Sequence, residues 1–317
     1  MDYAAARSLL ARLLSLEVKP GLERVRLLLE PLGHPERMYP AIHVAGTNGK
    51  GSVVAMLASI LSAAGYRVGR FTSPDLIDFR DRIAIGEEWI EEEKLAALTT
   101  RIGPALSLGP DRPTLFEALT AIGLTHFAEE KVDIAVVEVG LGGRFDATNI
   151  VNPILTILTN VELDHTQILG ETIAKIAWEK AGIAKRGVPL LLGRLNEEAW
   201  PIVRAESEKI GAPIVRADEP FLIRVSSDWE RATYAILKDR LPGRVNLSLI
   251  APYQEENLHT VLRAVELLRE RGIAIDDGAI EEGLATVSWP GRFEVIRRYP
   301  TVILDGAHNV AGARALS

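Results

Sequence analysis

Short runs of apolar residues alternate along the chain with longer segments in which apolar positions recur at helical spacing. Five of the runs predict buried β-strands: "AIHV", "RVGRF", "DIAVVEV", "ILTILT" and "VPLLLG". Segments such as "TLFEALTAIGLTHFAEE" lie between most of them and predict helices. Strands that are apolar throughout must be covered on both faces, which is typical of a parallel sheet between two helical layers. The pattern therefore predicts an α/β fold with a mostly parallel sheet and helices on both faces.

The pattern changes between residues 213 and 250. Short alternating runs there, such as "RATYAILKDR" and "RVNLSLI", predict a small antiparallel sheet. An amphipathic helical segment, "NLHTVLRAVELLRERG", follows them. The last piece, "SWPGRFEVIRRYPTVILDGAHNVAGARAL", predicts a new strand and a new helix. We expect this piece to start a second α/β unit.

The composition is ordinary for a globular protein: 47% of the 317 residues are hydrophobic, 25% are charged, and the formal net charge is −7. This acidic balance argues against a general nucleic-acid surface, because binding a polyanion normally requires a basic excess. No apolar run approaches the roughly 18 residues that span a bilayer. Arg7 and Arg12 interrupt the first apolar stretch, unlike a secretory signal. We therefore expect a cytoplasmic protein without a membrane partner. Since there is no cysteine, disulfides and thiolate chemistry are excluded.

The stretch "HVAGTNGKGS" differs from the common phosphate-binding loop at two places. Val44 stands where that pattern has its first Gly, and Gly51 separates Lys50 from Ser52. The physical elements of a phosphate site are nevertheless present, because a predicted strand leads through a Gly-rich turn into a predicted helix. Such a helix start directs backbone N–H groups and a partial positive charge at one point.

Side chains of this turn could assist in binding phosphate. Gly46 and Gly49 free the backbone, and Lys50 supplies a mobile positive charge for the outer phosphates. The hydroxyls of Thr47 and Ser52 could bind a phosphate or its metal ion. The alternative is a tight turn whose glycines serve geometry alone. A Lys between two glycines at a helix start favours phosphate.

Polar residues also follow two other predicted strands. Glu138 ends the strand before the Gly-rich loop that carries Asp146, and Asp164 with His165 follows the next strand. Ligands of open parallel sheets bind beyond the carboxyl ends of the strands. Glu138 could therefore hold Mg²⁺, although a structural carboxylate in a turn would give the same pattern. His165 could be a metal ligand or a structural histidine.

Lys180 lies on the apolar stripe of the predicted helix "ETIAKIAWEKAGIAK", three residues before Ile183 and four after Ile176. A lysine in such a position commonly extends its ammonium group to water. Burial within a site would instead lower the pKa of the amine. A neutral amine can add CO₂ and become a carbamate, which is an anionic oxygen ligand. The residues alone favour the interpretation that the ammonium group extends to water.

Seven strings together resemble the folylpolyglutamate synthase and dihydrofolate synthase family, a branch of the Mur ligase superfamily. They occur in the family's order: "HVAGTNGKGS", "FTSPDL", "TLFEALT", "EVGLGGRFDATN", "LDHTQILGETIAKIAWEKAGI", "PGRFEVI" and "DGAHNVAGARAL". In that superfamily the phosphate loop has the form GTNGKGS. The resemblance implies a P-loop-type domain and an ATP-dependent amide ligase. Such an enzyme phosphorylates a substrate carboxylate and transfers the acyl group to the α-amine of L-glutamate.

The resemblance also implies the catalytic and metal-binding residues. Ser73 and Glu138 would bind one Mg²⁺, whereas His165 and a carbamylated Lys180 would serve a second. Lys50 would neutralise charge on the transferred phosphate, and the first step needs positioning and charge neutralisation rather than acid–base catalysis. Catalysis is therefore expected to depend on Lys50, Glu138, His165 and Lys180.

Further residues would bind the nucleotide and the acceptor. The loop residues expected to bind ATP are Gly46, Thr47, Asn48, Gly49, Lys50, Gly51 and Ser52. The more distant nucleotide contacts would be Asn257, Arg292, Asp305 and His308. Phe116 and Asp146 match the positions that place the pterin- or glutamate-bearing substrate. ATP, L-glutamate and a folate or dihydropteroate are thus the expected small-molecule partners of a monomeric enzyme.

The family pattern divides the chain into two parts. Residues 1–288 would form the ATP-binding Mur-ligase-type domain, and residues 289–317 a linker with the first strand and helix of an incomplete, Rossmann-like glutamate-binding domain. Asp75 and Tyr253 depart from the family, which commonly has His at both positions. The sequence does not separate dihydropteroate from tetrahydrofolate as the acceptor. The alternatives are a Mur-type cell-wall peptide ligase and an ATP-binding homologue without catalytic activity.

Overall fold

The computed structural model describes residues 1–15, 20–106, 111–217 and 221–317. Its strands are β1 (Ala41–Ala45), β2 (Val68–Phe71), β3 (Ile83–Ile85), β4 (Glu88–Trp89), β5 (Ile134–Glu138), β6 (Pro153–Leu158), β7 (Leu190–Leu192), β8 (Ile214–Arg216), β9 (Leu222–Ser227), β10 (Ala232–Ile236), β11 (Arg244–Leu247), β12 (Glu294–Arg298) and β13 (Thr301–Leu304). Its α-helices are α1 (Tyr3–Ala11), α2 (Glu23–Leu29), α3 (Lys50–Ala63), α4 (Glu92–Leu106), α5 (Leu115–Glu129), α6 (Thr166–Leu169), α7 (Ile173–Ala181), α8 (Trp200–Ile210), α9 (Gln254–Glu270), α10 (Asp277–Thr286) and α11 (Val310–Leu316). Short 3₁₀ helices cover Arg12–Ser15, Glu30–Leu32, Pro35–Arg37, Phe79–Arg82 and Ala147–Ile150.

The strands of the large sheet follow the order β4-β3-β2-β5-β1-β6-β7-β8. From β2 to β8 all neighbouring strands are parallel, whereas β3 and β4 add an antiparallel edge. All five predicted strands belong to this sheet, and the prediction of a mostly parallel sheet is confirmed. Parallel neighbours bring the carboxyl ends of β1, β2, β5 and β6 to one edge.

Helices cover both faces of the sheet, as predicted. Helices α3, α9 and α10 pack on one face, where Ile42 and Val44 of β1 point into the same apolar cluster. The other face carries α1, α2, α4 and α5, which pack against Ala135 and Val137 of β5, and α7 and α8, which pack against β6 and β7. Helix α3 is apolar on nearly every side because it lies between the sheet and both α9 and α10.

The prediction for residues 213–250 is partly wrong. Strands β9, β10 and β11 form the expected small antiparallel sheet, but β8 pairs in parallel with β7 and forms the edge of the large sheet. The sequence of β8 is only three residues long, too short to show a period. Near the end of the chain, β12 and β13 form an antiparallel pair followed by α11, where one strand and a helix were predicted. No helix in the described part of the chain is long and apolar enough to cross a membrane.

Candidate active site

The Gly-rich turn lies at the carboxyl end of β1 and leads directly into α3, which begins at Lys50. Residues 46–52 are called the phosphate loop below. The Nζ atom of Lys50 donates hydrogen bonds to the carbonyl oxygens of Gly46 at 3.2 Å and Thr47 at 3.1 Å. The amine is therefore held close to the loop, next to the backbone N–H groups of the helix start.

Two glycines of the phosphate loop are required by close contacts. Gly49 has a φ of +81°, and a Cβ atom there would lie 2.3 Å from Oδ1 of Asn257. A Cβ atom on Gly46 would lie 1.8 Å from Oγ1 of Thr159. These contacts explain why the loop has Gly at both positions. They also place Asn257, from α9, against the phosphate loop.

Glu138 is the last residue of β5 and only 3% of its surface is exposed. Its Oε2 atom accepts a hydrogen bond from the backbone N–H of Ser73 at 3.2 Å. Burial raises the pKa of the Glu138 carboxyl, and the nearby Lys50 partly opposes this effect. The carboxylate of Glu138 and the hydroxyl of the neighbouring Ser73 are hard oxygen donors, the kind that Mg²⁺ prefers.

A second group of possible metal ligands lies where the loop after β6 meets the loop after β13. One ligand atom each of Asp164, His165 and His308 lies within 4.8 Å of the others. Sequence reasoning singled out His165 as a ligand but did not recognise Asp164, whose only signal was its place directly before that histidine. Asp164 also accepts a hydrogen bond from Nδ2 of Asn309 at 2.9 Å.

Lys180 points into the protein and not to water. The residue is 5% exposed, and its Nζ atom donates a hydrogen bond to the carbonyl oxygen of Gly46 at 2.8 Å. Burial lowers the pKa of this amine to about 7, and the positive charge of Lys50 acts in the same direction. A large fraction of the amine is therefore neutral near neutral pH. The interpretation that Lys180 extends to solvent is wrong because α7 packs this face against the sheet.

The loop after β5 forms the far wall of the site. Asp146 is buried and accepts hydrogen bonds from the backbone N–H groups of Leu141 at 2.8 Å and Thr148 at 2.9 Å. The ring of Phe116 lies close above Gly140, since a Cβ atom there would approach it to 2.5 Å. Asp146 and Phe116 are therefore neighbours across one short loop.

Residues near the end of the chain complete the site. Asp305 accepts hydrogen bonds from the hydroxyl of Tyr253 at 2.5 Å and from the backbone N–H of Phe293 at 2.8 Å. The Tyr253 side chain thus has a defined partner, as does Asp75, which forms an ion pair with Arg82. The two departures from the family pattern therefore form contacts within this chain.

The candidate catalytic, metal-binding, nucleotide-binding and acceptor residues singled out from the sequence all line a single cavity of about 1230 Å³. Its lining includes the whole phosphate loop together with Ser73, Phe116, Glu138, Asp146, His165, Lys180, Asn257, Arg292, Asp305 and His308. Cationic, carboxylate, imidazole and aromatic side chains thus meet in a space large enough for a nucleotide and a second substrate.

Comparison with known proteins agrees with this arrangement. Residues 44–217 match the Mur ligase middle domain. The chain is 41% identical to the dihydrofolate synthase/folylpolyglutamate synthase of Bacillus subtilis, over 99% of the chain and 75% of that protein. It is 36% identical to the folylpolyglutamate synthase of Lacticaseibacillus casei, over 92% of the chain and 70% of that protein.

A solved structure of Mycobacterium tuberculosis folylpolyglutamate synthase, complexed with ADP and AMPPCP, matches with a TM-score of 0.86 at 36% identity. That match covers 99% of this chain and 73% of the other. The Thermotoga maritima folylpolyglutamate synthase matches with a TM-score of 0.88 at 38% identity, over 99% and 73% of the two chains. The chain therefore belongs to the folylpolyglutamate synthase and dihydrofolate synthase family, which shares the Mur ligase middle domain.

Proposed function

We propose that the protein is an ATP-dependent ligase that joins L-glutamate to the carboxylate of a pteroate or folate acceptor. One observation carries the proposal: a phosphate loop, a buried carboxylate, a buried lysine of lowered pKa and the acceptor residues Phe116 and Asp146 all face one cavity. A protein that only bound ATP would have no need for the second half of this cavity.

The first half-reaction transfers the γ-phosphoryl group of ATP to the acceptor carboxylate. The N–H groups at the start of α3 and the amine of Lys50 would hold the outer phosphates. Asn257 would contact the nucleotide from α9. An oxygen of the acceptor carboxylate attacks the γ-phosphorus, ADP leaves, and an acyl phosphate forms. The protein contributes mainly position and positive charge to this step.

The donor sets in the cavity fit two Mg²⁺ ions. Glu138 and Ser73 would hold one, and His165 with the carbamate of Lys180 would hold or orient groups at the other. Asp164 and His308 are additional candidates for the second site because their ligand atoms lie near those of His165. Bound Mg²⁺ would neutralise phosphate charge.

The second half-reaction forms the amide bond. The α-amine of L-glutamate attacks the acyl carbon, a tetrahedral species forms, and phosphate leaves as the amine loses its proton. Asp305 and His308 lie on the side of the cavity formed by residues 289–317, which we propose as the start of the glutamate-binding unit. Three further points stay predictions: the domain division at residue 288, the monomeric state and the cytoplasmic location. Light scattering would test the monomeric state.

ADP release by the purified protein tests the proposed function. We would measure it with Mg²⁺ and ATP, with and without L-glutamate, using dihydropteroate in one series and tetrahydrofolate in the other. Release that requires both glutamate and one acceptor is expected, and it names the acceptor. Release only with nucleotide-linked muramyl substrates would identify a cell-wall peptide ligase. ATP binding without any glutamate-dependent turnover would favour a non-catalytic homologue.

A further inference from the structure

His43 precedes the phosphate loop but faces away from it. It lies in the middle of β1, paired with Val137 of β5 and Thr156 of β6, and its side chain is fully buried. Because successive side chains of a strand alternate between faces, His43 points away from the α3 side that Ile42 and Val44 occupy. No step of the reaction above uses it.

The imidazole of His43 is linked to the acceptor side of the cavity by hydrogen bonds through one residue, Thr148. Its Nε2 atom lies 2.8 Å from the hydroxyl oxygen of Thr148, which is fully buried. The Thr148 hydroxyl in turn donates a short hydrogen bond to Oδ1 of Asp146. His43, Thr148 and Asp146 thus form a continuous chain of hydrogen bonds from the centre of the sheet to the cavity.

The donor in each hydrogen bond follows from the number of available protons. A threonine hydroxyl has one hydrogen, and here it is donated to the carboxylate of Asp146. Oγ1 of Thr148 must therefore accept from His43, which requires the neutral tautomer with its proton on Nε2. The Nδ1 atom has no hydrogen-bond partner among the described residues. Burial, followed by the charge of Lys185, lowers the pKa of His43 to about 3, so the ring is neutral.

Asp146, the last member of this chain of hydrogen bonds, organises the loop that faces the acceptor. Asp146 also accepts from the backbone N–H of Leu141, so its carboxylate holds the loop at both ends. That loop includes Gly140, against which the ring of Phe116 packs. A change in the direction of the Asp146 carboxylate would therefore alter both groups assigned to the acceptor.

We propose that His43 is a positioning residue for the acceptor: through the Thr148 hydroxyl it fixes the carboxylate of Asp146 and the loop that Asp146 holds. The inference rests on the proposed function, in which Asp146 and Phe116 contact the acceptor. It assigns His43 no role in binding phosphate, although the residue is part of the same sequence motif.

Substitutions at the two ends of the His43–Thr148 bond test the inference. H43L removes the donor, whereas H43Q places an amide N–H near the position of Nε2. We expect H43L to raise the KM for the acceptor about 10-fold or more, as the loss of a buried hydrogen bond would. The KM for ATP should stay within about twofold, and H43Q should restore most of the acceptor affinity. T148V should reproduce H43L, and the double variant should be no worse than either single one.

His126 supplies a matched control. It is also buried, and its Nδ1 atom also lacks a partner among the described residues, but it lies in α5 and does not line the cavity. H126L should leave the KM for the acceptor unchanged. Equal changes in the KM values for ATP and acceptor in H43L, or an unchanged acceptor KM in both H43L and T148V, would overturn the inference.

The tautomer of His43 can be determined without measuring enzymatic activity. Imidazole ¹⁵N NMR of the wild-type protein, with H43Q used to assign the signals, should show the proton on Nε2 and a bare Nδ1. A proton on Nδ1 would overturn the hydrogen-bond chain even if H43L failed to fold. Wild-type protein that neither binds nor converts either acceptor would instead contradict the proposed function, while the NMR result would still decide the hydrogen-bond chain.

Discussion

The amine nitrogen of Lys180 lies 2.8 Å from the carbonyl oxygen of Gly46, the first residue of the phosphate loop. This contact joins α7, on one face of the sheet, to the turn that begins α3 on the other. It also holds the amine in a buried place where its pKa is lowered to about 7. The neutral amine that carbamate formation requires is therefore available near neutral pH.

We predict that Lys180 is carbamylated in solution. Protein equilibrated with ¹³C-bicarbonate should show a carbamate carbon signal by NMR, and K180Q should lose it. The same variant should lose roughly 10- to 100-fold in kcat, as changes around metal sites commonly do. Lys185 is the matched control because burial lowers its pKa as well, to about 8, while its amine is hydrogen-bonded to the backbone and side-chain oxygens of Asn149. A signal that survives in K180Q but disappears in K185Q would contradict the assignment.

A second prediction concerns the buried carboxylate of Glu138. E138Q keeps the shape of the side chain but removes a negative charge that we assign to Mg²⁺. The Mg²⁺ concentration at half-maximal activity should rise roughly 10- to 100-fold. The melting temperature should rise, because burial raises the pKa of Glu138 and the charged form therefore costs stability at neutral pH.

Glu36 offers a control for that prediction. It is as buried as Glu138 but lies outside the cavity, where it contacts His34 and Arg37. E36Q should lower the melting temperature and leave the Mg²⁺ requirement unchanged. A parallel loss of stability in E138Q, with no change in the Mg²⁺ requirement, would show that Glu138 has only a structural role.

The phosphate loop should not tolerate a side chain at Gly49. In G49A the added Cβ atom would meet Asn257 in a backbone conformation that favours glycine. We expect a loss of about 1–3 kcal/mol in the free energy of unfolding, together with loss of MgATP binding by calorimetry. Gly65 also has a positive φ, of +89°, but no atom lies within 4 Å of its Cβ position. G65A should therefore cost some stability and leave MgATP binding intact. Normal MgATP affinity in G49A would contradict the assigned role of the loop.

The stability of the protein should fall in mild acid. The pKa of His43 is about 3 in the folded state, against an ordinary value of 6.5, so the unfolded chain binds the additional proton between these values. This contribution to stability is complete above the ordinary pKa and is lost as the pH falls towards the folded-state pKa. The slope is about 1.4 kcal/mol per pH unit from this one group.

Urea denaturation at a series of pH values measures that slope. H43Q cannot take up the proton and should therefore show a shallower decrease in the free energy of unfolding. His126, whose pKa burial lowers to about 4, contributes in the same direction and remains in the variant. Identical slopes for wild type and H43Q would show that His43 does not resist protonation.

The sequence was sufficient to predict the five central strands of the large sheet, but not its edge strands β3, β4 and β8. The candidate site residues that it indicated all line the cavity. Apolar strands fixed the order of secondary structure, and in a parallel sheet the residues after each strand must gather at one edge, which brought Lys50, Glu138 and His165 together. Contacts between residues far apart in the chain were not predictable in this way. The bond from Tyr253 to Asp305, and the path from His43 to Asp146, depend on side-chain directions that no local pattern determines.

The side-chain amide of Asn309 is hydrogen-bonded to two loops at once, the phosphate loop and the loop after β6. Its Nδ2 atom donates to Oδ1 of Asn48 at 3.0 Å and to Oδ2 of Asp164 at 2.9 Å. Any displacement of the segment that carries Asp305 and His308 must therefore release a polar group of the phosphate loop and a carboxylate near His165 together. A ligand that binds Asn48 or Asp164 competes with Asn309 and therefore weakens the contacts that keep this segment in place. By thermodynamic linkage, those contacts weaken the binding of that ligand to the same extent. Occupancy of the cavity and the position of residues 305–316 are thus linked quantities, and a change in one can be measured through the other.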